Sequence, residues 1–148
     1  MSLWEYIDSL EDFEFPDYNH EKMLLQDCYR DRNHPEVHQA VRSILHKMNV
    51  DVVEAKRNKE NSVYCGTLHY ETENHALLEK LKAYPDTKIS ELPLELQKEL
   101  MADNFEGVDL DMQIIVDCNR CLKGVELAGR KGIHLLNLSL IHISEPTR

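Results

Sequence analysis

Short apolar runs alternate along the chain with segments of helical periodicity. The run Met23-Leu24-Leu25 carries through Gln26 and Asp27 to Cys28, and the Val-rich stretch 50–54 and the run Met112-Gln113-Ile114-Ile115-Val116-Asp117 share its strand character. The last is nearly continuous in apolar residues, as expected of a strand with a packed layer on each face. Between the first two lies a helix signal. Asn33-His34-Pro35-Glu36 offers a cap residue, an early proline and an acid in the first turn, after which Val37, Val41, Ile44, Leu45 and Met48 recur at helical spacing. Their common face needs a flat apolar partner, and a sheet supplies one.

Residues 75–84 and 92–101 also read as helices, separated by a Pro85-Asp86-Thr87 turn, with Leu77, Leu78 and Leu81 on one face and Leu96 and Leu100 on the other. A short helix over 122–128, a Gly129-Arg130-Lys131-Gly132 turn and a final strand over 133–136 complete the pattern. Strands alternating with helices predict an α/β fold, a mostly parallel sheet with flanking helices. Parallel strands place their C-terminal ends along one edge, where open α/β sheets build their sites. Cys28 and Cys118 close two of the strand runs, Cys65 closes the short run 62–66, and all three are expected at that edge.

With 148 residues, 42% of them hydrophobic, the chain is long enough for one domain with a real core. A net charge of -10 argues against nucleic acid, because phosphate binding depends on concentrated Lys and Arg. Residues 1–12 lack a basic segment followed by an apolar one, and no apolar run approaches the ~18–20 residues of a membrane span. The expectation is a soluble cytoplasmic protein without a transmembrane segment. Residues 1–19 read as an acidic helical segment, 20–137 as a single cysteine-rich domain, and 138–148, LSLIHISEPTR, as a translated sequencing adapter. On that reading His142 is set aside and the natural protein continues past residue 137. The N-terminal apolar residues Trp4, Tyr6, Ile7, Leu10 and Phe13 suit either core packing or docking of a preceding domain.

The cysteines change the picture most. In a reducing compartment four of them read as thiols or metal ligands rather than disulfides. Cys118 and Cys121 have CxxC spacing, and each strand-end cysteine precedes a possible helix start, whose free N–H groups stabilise a thiolate. Four thiolates carry too much charge to converge without a metal, so convergence implies an iron–sulfur cluster or a zinc ion. The plainer alternative makes Cys28 and Cys65 small buried hydrophobes and Cys118 with Cys121 a metal-free dithiol pair. His34 and His69 are candidate proton donors or replacement ligands, and Arg30, Arg120 and Lys123 candidate charge partners of a thiolate centre. Asp27 and Asp117 read as caps of the turns that follow them. Gly66 would let the backbone pass close to the centre.

The order Asp27-Cys28-Tyr29-Arg30-Asp31, Tyr64-Cys65-Gly66, Cys118-Asn119-Arg120-Cys121 resembles the CCG (cysteine-rich) domain of heterodisulfide reductase and related Fe–S oxidoreductases. In that family a lone cysteine is followed by Cys-Cys-Gly and then CxxC, and the resemblance spans about residues 21–137. It implies a 4Fe-4S cluster held by Cys28, Cys65, Cys118 and Cys121, an electron-transfer role as part of an oxidoreductase, and a redox partner protein or companion domain. Two departures stand out. Tyr64 occupies the place of the first cysteine of Cys-Cys-Gly, removing a ligand of the family's non-cubane cluster, and the interval from Cys65 to Cys118 is longer than usual.

Overall fold

The parallel sheet and its helices emerge in the order the periodicity suggests. The structure is a computed structural model describing residues 1–11 and 13–144, with side chains to residue 139. It opens with helix α1 (Leu3–Ser9), started by a capping box in which Ser2 Oγ accepts from the Glu5 amide at 3.1 Å and Glu5 Oε1 accepts from the Ser2 amide at 2.8 Å. Strand β1 (Glu21–Leu25), helix α2 (Pro35–Lys47) and strand β2 (Val50–Glu54) form the first βαβ unit. The residue preceding α2 is His34 rather than Asn33, and it caps with no side-chain bond. Proline at the first helical position, where its missing N–H costs nothing, is the working part of the signal.

A two-residue hairpin, β3 (Tyr64–Cys65) and β4 (His69–Tyr70), follows, and then helices α3 (His75–Leu81) and α4 (Leu94–Asn104). Strand β5 (Gln113–Val116) runs into helix α5 (Asn119–Leu127), and strand β6 (Gly132–His134) passes directly into helix α6 (Leu135–Ser144). The predicted final strand is therefore cut short, and Leu135 joins the core from a helix.

The four main strands are parallel in the order β2-β1-β5-β6. The chain winds outward from β1 to β2 on one side and from β5 to β6 on the other, so the order reverses between β1 and β5. Such a reversal opens a crevice beyond the carboxyl ends of the two central strands. The register pairs Leu24 with Ile114 and Leu25 with Ile115.

Because successive strand residues face opposite ways, the central strands supply two cores. Met23, Leu25 and Ile115 pack with Trp4 and Ile7 of α1, Val41, Ile44 and Leu45 of α2, and Leu135 and Leu138 of α6. Leu24, Ile114 and Val116 face the other way, onto Leu96, Leu100 and Met101 of α4, Val125 of α5, Tyr64 and the four cysteines. Trp4 and Ile7 of the N-terminal patch are thus core residues, whereas Tyr6 is exposed. Within the 138–148 stretch, Leu138 and Ser139 are buried, and the Tyr18 hydroxyl donates to the Leu138 carbonyl at 2.5 Å; the His142 side chain lies outside the described residues. Among the described residues no helix is long and apolar enough to cross a membrane.

Candidate metal centre

Cys28 follows β1 and Cys118 follows β5, so the two flank the point where the strand order reverses. A dense set of bonds fixes the approach to Cys28. Asn58 donates to the Leu25 carbonyl (2.7 Å) and accepts from the Asp27 amide (2.8 Å), while Ser62 Oγ donates to the Asp27 carbonyl (2.9 Å). The Asp27 carboxylate accepts from Arg42 Nη2 at 2.7 Å and from the Lys59 amide at 2.9 Å, and Arg42 reaches Glu54 with its other edge (Nη2 to Oε1, 2.7 Å; Nε to Oε2, 3.0 Å). Asp27 therefore ties α2 and the 56–62 connection to the end of β1 and does not cap the following turn, as its sequence position suggests. A near-planar guanidinium held by two carboxylates is a stiff joint.

That same connection delivers Cys65. The residue lies in the β3–β4 hairpin rather than at the end of a sheet strand, and the hairpin folds over the sheet edge to reach the other cysteines. Its turn is pinned to the first turn of α5. Gly66 has φ +55°, and a Cβ there would stand 2.0 Å from the Arg120 carbonyl oxygen; a Cβ on Gly124 would stand 2.3 Å from the Tyr64 hydroxyl and 2.8 Å from Gly66 Cα. Gly66 thus does permit a close backbone approach, to the helix that carries Cys121.

Helix α5 starts at Asn119, three residues earlier than the apolar pattern indicates. Cys118 becomes its N-cap residue and Cys121 lies in its first turn. Within that turn the Cys121 amide donates to the Cys118 sulfur.

The ligand atoms of Cys28, Cys65, Cys118 and Cys121 all lie within 4.8 Å of one another, and all four residues are buried. Cys28 Sγ and Cys65 Sγ are 3.5 Å apart. Cys118 retains 6% exposure, against 1% for Cys28 and none for Cys65 or Cys121, so Cys118 is the most exposed of the four. Arg30 Nη2 stands over it, 3.5 Å from Cys118 Sγ. Within this crowd hydrogen bonds from Cys121, Cys28 and Cys65 hold Cys118 far below the usual thiol range, while bonding within the group pushes Cys121 and Cys28 up.

The group fits a metal by donor chemistry: four soft sulfurs, no carboxylate or imidazole joining them among the described residues, and limited water access. A single tetrahedral ion with metal–sulfur bonds of ~2.3 Å needs sulfurs roughly 3.8 Å apart, and the four here, one pair at 3.5 Å and all within 4.8 Å, lie close to that spacing. A cubic cluster, with each thiolate on a different iron, needs them about 6 Å apart, so the cage would have to widen.

Tyr64 and Asn58 are parts of the site that sequence reasoning missed. Tyr64 looks like a lost ligand, but its side chain is fully buried beside Phe105 (ring centroids 5.3 Å) and its hydroxyl donates to the Cys121 carbonyl at 2.6 Å. It is a strut between the hairpin and the first turn of α5. Asp117 does not cap α5; its Oδ1 is buried without a hydrogen-bond partner among the described residues, and burial, followed by the negative fields of Asp31, Cys28, Asp27 and Cys118, pushes its carboxyl well above the usual range.

Neither candidate histidine joins the sulfur group. His34 is exposed and pairs with Glu36 at 3.0 Å, and His69 stacks on Tyr29 (3.8 Å between centroids) while bonding Glu71 at 2.8 Å. Of the three candidate cations only Arg30 contacts a cysteine sulfur among the described residues; Arg120 and Lys123 are exposed. Compared with family models, curated proteins and solved structures, the chain matches none.

Proposed function

We propose that the chain is the metal-binding module of an electron-transfer oxidoreductase of the heterodisulfide-reductase type, with Cys28, Cys65, Cys118 and Cys121 as the complete ligand set of an iron–sulfur centre. The observation that carries this reading is the convergence of four buried sulfurs from three distant segments, in the order of the CCG domain. Such a centre would take up and release single electrons. The chain's own part is to hold four thiolates, exclude water from three of them and offset their charge with Arg30 and the first-turn amides of α5. An acceptor or donor would be met at the Cys118 side, from a partner protein or companion domain.

Zinc is the second reading, and the sulfur spacing favours it. The group already has the size of a one-ion tetrahedron, and widening it means pulling the hairpin off α5 against the Gly66 and Tyr64 contacts. On that reading the module is a structural or interaction domain.

The two readings part on one preparation. Protein purified without oxygen and reconstituted with iron and sulfide is expected to be brown, with about four irons and four sulfides per chain for a cubic cluster. A colourless protein retaining about one zinc and no sulfide would establish the zinc reading instead. A folded protein that holds neither metal would remove both and leave the Cys118–Cys121 dithiol.

A further inference from the structure

Arg30 stands apart from the other well-placed cations of this acidic chain. Arg42 pairs with Asp27 and Glu54, Arg57 with Glu73, Lys47 with Asp8, Lys80 with Glu99 and Lys131 with Asp111. Arg30 pairs with no carboxylate among the described residues, although the chain has 27 acids to 17 Lys and Arg. Its Nη2 stands instead 3.5 Å from the sulfur of Cys118, the most exposed of the four cysteines. The short 3₁₀ turn Tyr29–Asp31 fixes its backbone directly after Cys28. Tyr29 anchors that turn by stacking on His69, with the Arg32 guanidinium 4.9 Å from its ring centroid.

We propose that Arg30 is the positioning residue of the metal centre: its fixed positive charge against Cys118 holds the most exposed ligand in place and favours the more negative state of whatever the four thiolates bind. This rests on the four-cysteine metal reading but not on whether the metal is iron or zinc. A thiolate at the surface of a centre is the ligand most readily lost to water or to a competing chelator, and a guanidinium over it opposes both protonation and departure. For an electron-carrying centre the same charge stabilises the reduced form and raises the reduction potential.

The test compares metal-loaded wild-type protein with Arg30→Gln, which removes the charge and leaves a shorter amide side chain, and Arg30→Lys, which keeps the charge. Circular dichroism should match in all three, because Arg30 is exposed and packs into no core. The rate of metal transfer to an excess of a colorimetric chelator is expected to rise about tenfold in Arg30→Gln, the lower range for loss of a partner group behind a metal ligand, and to stay near wild type in Arg30→Lys. If iron is present, the midpoint potential of Arg30→Gln should shift downward and that of Arg30→Lys should not. Equal release rates in wild type and Arg30→Gln would overturn the proposal, as would Arg30→Lys behaving like Arg30→Gln. Wild-type protein that binds neither iron nor zinc would fail the metal reading itself, a result distinct from a wild type that binds metal indifferently to position 30.

Discussion

The two faces of the parallel sheet are built on different principles. On the face covered by α1, α2 and α6, hydrocarbon meets hydrocarbon: Ile44, Leu45, Met48, Ile115 and Leu135 are fully buried, and their stabilisation scales with area, tolerating modest changes of shape. On the opposite face, four sulfurs, a tyrosine hydroxyl and two glycines with no room for a Cβ gather between β5, α5 and the hairpin. Little there is redundant. The first face is hydrocarbon packing throughout, and the second is a set of specific contacts around four sulfurs that could hold a metal.

The largest expected break in this contrast comes from removing a ligand. Cys121→Ser should abolish metal retention and destabilise the loaded protein by on the order of 5 kcal/mol, since binding free energy of a structural centre is folding free energy. Hydrogen exchange should show the loss concentrated in β3, β4 and the first turn of α5, with β2 and α2 still protected. Uniform loss across both faces would mean that the sulfur face is not a separate unit.

A matched pair of substitutions sharpens the point. Ile44→Ala opens a cavity on the hydrocarbon face and should cost about 2–5 kcal/mol in denaturant unfolding while leaving metal stoichiometry intact. Gly66→Ala places a Cβ against the Arg120 carbonyl at positive φ and should cost about 2 kcal/mol or more, with metal lost as well. Stoichiometry, not stability, separates the two. Smaller again, Tyr64→Phe leaves the buried Cys121 carbonyl without its donor, for about 1–2 kcal/mol and a faster release of metal at unchanged fold.

The smallest effect lies at acid pH, at the joint between the faces. Burial raises the Glu54 carboxyl, but hydrogen bonds from Arg42 and Asn58 outweigh it and hold the group below its ordinary 4.5. Its folded-state value therefore lies under its unfolded one, so its contribution is complete above about pH 4.5 and drains away as pH falls through the folded value. Glu54→Gln, which removes the titrating carboxyl and leaves the Arg42–Asp27 pair in place, should flatten that acid limb in a plot of stability against pH.

The hydrocarbon face is the legible one. The spacing of Val37, Val41, Ile44 and Leu45 and the runs at 50–54 and 112–117 announce α2, β2 and β5 because burial against a sheet writes itself into periodicity. The cysteine order points to the four residues that converge, but not to how they do so. A hairpin of two-residue strands has no period to read, so Cys65 looks like the end of a sheet strand. Tyr64 looks like a missing sulfur because strand alternation, which turns it away from Cys65 toward Phe105, needs a known partner before it means anything. Asp27 and Arg42 meet across 15 positions, a spacing no local rule contains, and the polar opening of α5 hides its true start at Asn119.

The wide separation of the ligands also bears on how the protein is made. Cys28 and Cys65 stand 37 positions apart, and β1 must wait for β5, more than half the chain later, before Leu24 finds Ile114. A parallel pairing of such long range is slow to form and leaves its strand edge unpaired meanwhile. During synthesis, then, the nascent chain carries two early thiols that nothing yet gathers, and loading is expected to follow emergence of the last cysteine rather than to guide the first half into shape.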